Sequence, residues 1–511
     1  MEINVNTKIL YINDKVFENS SDEPVECDVT LPDYCPDIKK ILKCTVAPRL
    51  VSARCSGDRV NIEANASVRV IYSSDDNRIF CYEKTLPISK SVDIGRQVDN
   101  PCVKVELRTA YANVRALSAR KLEVRGSIGV DVKVTARCEE KVVCDAENGG
   151  IQLRKDCVGA SSLIGETVKN FNLSETVEVG EGKAPILQIL RVSSEIFDPE
   201  AKVVSNKMMF RGNLRVTVLY ISDDDEKRPQ LFVHTMPISQ IIDLDGISDS
   251  TQNIYTFSTN GVDVAVKTNA SGERRLMDVD ANVIAVVSAS QKLDQALPTD
   301  CFSTKYDVDV AAKPIRLENP VERVCDRLAV KSTEKINGLK IDEIYDVWCD
   351  KIKTTARLGN GEIILSGDAD VSIMGRDETG APFYVEKNVE FENKLPSNLN
   401  YNGNYELKTS VGGVETGFVL GGEDTVELRV DATVCVDVLT SRDVKLISAI
   451  SIDENSKKQS SPSFCVYFAD EGETLWDIAR KFNTTVDGIM QENEDATLNA
   501  ADRRMLFIPT I

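Results

Sequence analysis

Leu122-Glu123-Val124-Arg125-Gly126-Ser127-Ile128-Gly129-Val130-Asp131-Val132-Lys133-Val134 puts an apolar side chain at every second position, broken only at Gly126. The pattern recurs twice. Met277, Val279, Ala281, Val283, Ala285 and Val287 alternate in the same way, and so do Val426, Leu428, Val430, Ala432, Val434, Val436 and Val438. A period of two held this long means a half-buried strand, or two strands joined at a bulge, because a helix would scatter the set around its axis. Gly126 marks a bulge or bend.

Working back from each run exposes a repeat. Ile38-Lys39-Lys40-Ile41-Leu42 corresponds to Ile186-Leu187-Gln188-Ile189-Leu190 and to Ile341-Asp342-Glu343-Ile344-Tyr345. Thirty-one residues beyond Ile41, Ile189 and Ile344 stand Tyr72, Tyr220 and Gly375, each followed by an acidic turn. Each unit reads as opening on a short helix, marked by Pro36 near its first turn in the first unit and Pro185 in the second. The rest reads as antiparallel strands closing into a β-barrel or sandwich. The fold class is therefore mostly β: an N-terminal segment 1–29, three units at 30–145, 175–300 and 330–452, a flexible linker 453–463, and a small module 464–511.

Composition excludes several functions. The 511 residues carry a net charge of −20, so nucleic acid and anionic membrane surfaces are poor partners. No apolar run approaches the ~18 residues of a membrane-spanning helix, and the N-terminus has no secretory signal pattern. A single histidine, His234, in an alternating stretch, leaves no histidine-based catalysis or multi-histidine metal site. The 14 cysteines form no C-x-x-C pair, so no metal or redox motif is expected, and most thiols should be free. Phosphate loops, nucleophile elbows and dinucleotide fingerprints are also missing, which points away from an enzyme and gives no reason to expect a cofactor.

The module changes character. Phe464, Val466 and Phe468 alternate as a strand, and Thr474-Leu475-Trp476-Asp477 is a capping box that starts a helix carrying Leu475, Ile478, Ala479 and Phe482. Thr484-Thr485 starts a second helix with Val486, Ile489 and Met490, and Met505-Leu506-Phe507-Ile508-Pro509 ends the chain's last strand. This βααβ, α+β order, with Gly472-Glu473-Thr474-Leu475-Trp476-Asp477-Ile478-Ala479, Asn493 and Ile508-Pro509, resembles a LysM domain. The resemblance implies a shallow groove for N-acetylglucosamine-containing glycan such as peptidoglycan. One side would hold Gly472, Glu473, Thr474, Leu475 and Trp476, the other Ile489, Met490 and Asn493; the same groove is the candidate surface for a protein partner in place of glycan. Two departures are Glu473 in place of the usual Asp and the absence of the usual glycine in 500–504.

Asp28-Val29-Thr30-Leu31-Pro32-Asp33-Tyr34-Cys35-Pro36-Asp37-Ile38 resembles the opening motif of SPOCS domains. Three such units followed by LysM is the arrangement of a clostridial family of spore-coat morphogenetic proteins. That resemblance implies a non-enzymatic scaffold in the mother-cell cytoplasm at the forespore surface, docking through LysM to a spore-coat morphogenetic ATPase.

Overall fold

The computed structural model describes residues 3–509 apart from 158–160, 293–295, 337, 360, 398–403, 459–463 and 494–504. The chain runs through β1 (Asn4–Thr30), β2 (Lys40–Ser56), β3 (Arg59–Ser73), β4 (Ile79–Asp93), β5 (Cys102–Ser118) and β6 (Lys121–Glu147). These make two three-stranded antiparallel sheets, β2-β3-β4 and β1-β6-β5, packed face to face. A short β7 (Ile151–Asp156) leads to β8 (Ser161–Glu178), β9 (Ile186–Val204), β10 (Lys207–Ser222), β11 (Pro229–Ile242), β12 (Gln252–Lys267) and β13 (Leu276–Lys292). They repeat the plan as β9-β10-β11 over β8-β13-β12. After β14 (Leu297–Ser303) come β15 (Tyr306–Lys335), β16 (Ile341–Leu358), β17 (Glu362–Asp377), β18 (Pro382–Pro396), β19 (Tyr405–Leu420) and β20 (Thr425–Lys457). They form the third sandwich, β16-β17-β18 over β15-β20-β19.

The alternating runs are the central strands β6, β13 and β20, paired on both sides. Their apolar set lies inside: Leu122, Val124 and Val134 are 0% exposed, as are Met277, Val283 and Val436. Each fully buried Val or Leu contributes about 1.5–3 kcal/mol. At Gly126 the strand is closely covered, since a Cβ would meet the Tyr111 carbonyl at 3.0 Å. The bulge lies across from it, between Thr109 and Tyr111 of β5.

The opening helix is corrected: Ile41, Ile189 and Ile344 begin strands. The 31-residue interval is a cross-strand register, pairing Ile41 with Tyr72, Ile189 with Tyr220 and Ile344 with Gly375. Directly after each isoleucine a bulge inserts one unpaired residue, Leu42, Leu190 or Tyr345. The bulge advances the inward phase by one, so core positions step by three, from Ile41 to Cys44, Ile189 to Val192 and Ile344 to Val347. A bulged strand thus imitates the spacing of one helical turn. In the third unit Gly375 replaces the buried tyrosine, and the ring of Phe383 lies 2.9 Å from where a Cβ would stand.

The units also reach further than the expected spans. β1 precedes residue 30 yet pairs with β6 from Asn4↔Glu147 to Thr30↔Lys121, because its apolar side completes the first core. Likewise β8 and β15 start at 161 and 306, and β20 runs through 457 into the expected linker; 459–463 lie outside the described residues.

The three sandwiches close into a ring. β4 abuts β9, β11 abuts β16 and β18 abuts β2. The bulged Leu42 and Leu190 meet Ile71, Leu219, Met374 and Trp348 in one apolar cluster at the centre, with Tyr345 at its margin. The residue after each bulge is Lys43, Arg191 or Asp346. Arg191 bridges to Asp346 at 2.7 Å and lies over the Trp348 ring, while Lys43 reaches Asp350 at 3.0 Å and Glu386 at 2.6 Å. Burial works to lower the Lys43 pKa, but the Asp350 charge and the Glu386 and Tyr384 hydrogen bonds raise it on balance.

A second junction forms at the far ends of the long strands. The β1/β6 ribbon, the β15/β20 ribbon and the β7/β14 pair converge, joining Leu10, Val142, Leu297, Ile315, Leu317 and Leu446. Residues 147–150 make a tight turn with Asn148, Gly149 and Gly150 all at positive φ, a geometry that suits glycine. Ser303 donates to the Gly149 carbonyl at 2.6 Å and fixes that turn against the end of β14.

Of the 14 cysteines, 12 are free, and one cross-strand pair, Cys325 of β15 with Cys435 of β20, is bridged at a Cα separation of 4.1 Å. Burial pushes the Cys44, Cys102 and Cys301 thiols up to about 11 and those of Cys81 and Cys349 up to about 12, so they stay protonated at neutral pH.

Candidate functional site

The C-terminal module consists of β21 (Phe464–Phe468), α1 (Leu475–Lys481), α2 (Val486–Glu492) and β22 (Met505–Pro509), with β21 and β22 antiparallel. The capping box at α1 is complete: the Asp477 N–H donates to the Thr474 hydroxyl, and the Thr474 N–H donates to the Asp477 carboxylate, both at 3.2 Å. Thr485 caps α2 through the Gly488 N–H at 2.9 Å. Leu475, Ile478, Ala479 and Ile489 are 0% exposed and form the core with Leu506 and Ile508.

The eight groove residues divide. Leu475, Trp476 and Ile489 are buried, so they shape the module from within. Gly472 turns the loop ahead of α1 at a φ of 86°, with open space around it. Glu473 accepts from the Tyr467 hydroxyl at 2.8 Å and from the Asp470 N–H, which pins that loop to β21. Thr474 is occupied as a cap. Asn493 donates to the Ile489 and Phe507 carbonyls and accepts from the Phe507 N–H at 2.8 Å, tying α2 to β22. Met490 is 39% exposed. The residues at 500–504, where the usual glycine is missing, lie outside the described residues.

Trp476 has a partner that sequence reasoning missed. Its ring packs edge-on against Phe302 of β14 at 4.8 Å, and its Nε1–H donates to the Asp300 carboxylate at 2.8 Å. Asp300 also pairs with Arg480, which reaches the Cys301 carbonyl. Phe302, 4% exposed, is part of the module's core. Burial raises the Asp300 pKa, but hydrogen bonds from Arg480 and Trp476 outweigh it and hold the carboxyl below its usual range. No pattern in 297–303 signals this, since the two sides are 176 residues apart. The module is therefore seated on the ring of sandwiches through the β7/β14 pair.

Among the described residues no group of His, Cys, Asp and Glu is arranged to hold a metal, and no helix is long and apolar enough to cross a membrane. His234 is a strand side chain of β11, stacked on Phe232 beside Glu175.

The architecture is thus three repeated β-sandwiches with a βααβ module mounted on them. Residues 37–115 and 185–267 match the SipL SPOCS domain, and residues 470–507 match the LysM domain. Over these segments the chain is similar to SipL-type sporulation proteins, and its module is of the LysM, glycan-binding type. No curated protein and no solved structure matches it.

Proposed function

We propose that the protein is a non-enzymatic scaffold of spore-coat assembly, built from three units centred on 30–145, 175–300 and 330–452 and extended by the strands β1, β8 and β15 that precede them. It acts in the mother-cell cytoplasm and docks through its LysM module to a coat morphogenetic ATPase on the forespore surface. The observation that carries the reading is the seating of the module: Trp476, Asp300 and Phe302 hold the module against the body of three sandwiches. A scaffold needs a defined direction between its binding surface and its body, and a fixed mount supplies one. The net charge of −20 accords with a protein partner better than with an anionic wall polymer.

A second reading, binding of peptidoglycan or another N-acetylglucosamine glycan, is favoured by the LysM match itself. Its contacts would come from Gly472, Glu473, Thr474, Met490 and Asn493, the groove positions outside the buried core. Fluorescent full-length chain and a chain ending at 458, compared in sporulating cells, test docking through the module. The scaffold reading expects the full chain to ring the forespore and the shortened chain to disperse. Equal localisation of both refutes docking through the module.

A further inference from the structure

Among the described residues, the module has an apolar surface that neither its own core nor the ring covers. Along β21 and β22 the inward side chains include Leu506 at 3% and Ile508 at 0% exposure. The outward ones are Val466 at 48%, Phe468 at 68%, Met505 at 50% and Phe507 at 37%. Register places Val466 opposite Phe507 and Phe468 opposite Met505, so the four form one contiguous patch, two residues by two. The helices fill the other side of this sheet, and α1 is itself taken up by β14. The outward face of a two-stranded sheet in water ordinarily carries polar residues, and four large apolar side chains side by side mark an interaction surface.

We infer that this sheet face, rather than the groove, is where the module docks its protein partner, and that the partner presents an apolar ridge flanked by basic groups. The inference rests on the protein-partner reading above. Charge chooses the occupant. The module carries nine Asp or Glu against four Arg or Lys, and the chain carries −20. A second copy would bring the same sign and be repelled, whereas basic flanks would be drawn in. Exposed Asp470 and Glu471 come after buried Ala469, two and three residues beyond Phe468 at the end of β21.

The test measures binding of the full-length chain to the purified coat ATPase by biolayer interferometry. Phe468→Ser combined with Phe507→Ser removes both aromatic anchors and should weaken binding at least tenfold. Gln491→Ser, on exposed α2 and off this face, should change it less than threefold. Phe468→Lys should weaken binding more than Phe468→Glu. Circular dichroism and the thermal midpoint establish folding; Val466→Thr with Met505→Thr is the alternative pair should the double serine variant unfold. Absence of wild-type binding refutes the partner reading, and the docking face with it. Wild-type binding that persists undiminished in the face variants overturns the face alone. A dimer of the wild-type chain that dissociates in the face variants makes a second copy the occupant and overturns the basic partner.

Discussion

Replacing Asp300 by alanine tests how firmly the module is seated. Asp300 accepts the only described hydrogen bond of the Trp476 indole, at 2.8 Å, and pairs with Arg480. With the module still seated, the variant would leave the indole N–H of an 8% exposed side chain without a partner, at a cost of about 1–3 kcal/mol. The pair with Arg480, whose side chain is 42% exposed, adds only about 0.5 kcal/mol after screening. Seating should weaken by about 2 kcal/mol in all, roughly thirtyfold in the equilibrium. Asp300→Asn keeps an acceptor for the indole and should lose less. Acrylamide quenching reads the outcome, because the protein has two tryptophans and Trp348 stays in the central cluster. Trp476 should become accessible in Asp300→Ala and little changed in Asp300→Asn. The wild type adds a pH test. A carboxyl held low in the seated state stabilises seating fully above its ordinary pKa and loses that contribution as the pH falls through the seated value. Equal quenching in both variants and the wild type, at neutral and acid pH, would refute the seating argument.

Asp346→Ala strands the Arg191 guanidinium in the central cluster and should destabilise the ring by about 3 kcal/mol, whereas Arg191→Met with Asp346→Leu should be nearly neutral; urea unfolding checks both. Leu190→Ala, at a fully buried bulge position, should cost about 2–5 kcal/mol in the same assay. Burial raises the Glu195 carboxyl to about 7, so stability should fall as pH rises from the ordinary glutamate range to about 7 and level off above it; Glu195→Gln should flatten that slope. Alkylation of unreduced protein followed by mass spectrometry should find at most the Cys325–Cys435 bridge, and several further disulfides would contradict a reduced compartment.

Local periodicity made part of this fold legible. Leu122 to Val134 could only be a one-sided strand, and its burial follows directly. The interval from Ile41 to Tyr72 was visible as a repeat, but its meaning was hidden because a bulge at Leu42 counterfeits a helical step. The capping box of Thr474 and Asp477 was readable because both partners lie within four residues. The seating of Trp476 was not, since Asp300 and Phe302 belong to a short strand with no pattern of its own, positioned only once β7 and β14 pair. Long-range pairing of this kind, like the meeting of Arg191 with Asp346, depends on ring closure rather than on any single segment.

The mounted module is proposed to serve a protein partner. The direct measurement is a titration of the full-length chain with the purified coat ATPase, alone and with excess chitin oligomer. The scaffold account predicts saturable binding to the ATPase that the oligomer leaves unchanged. Tight binding to the oligomer with none to the ATPase would contradict it.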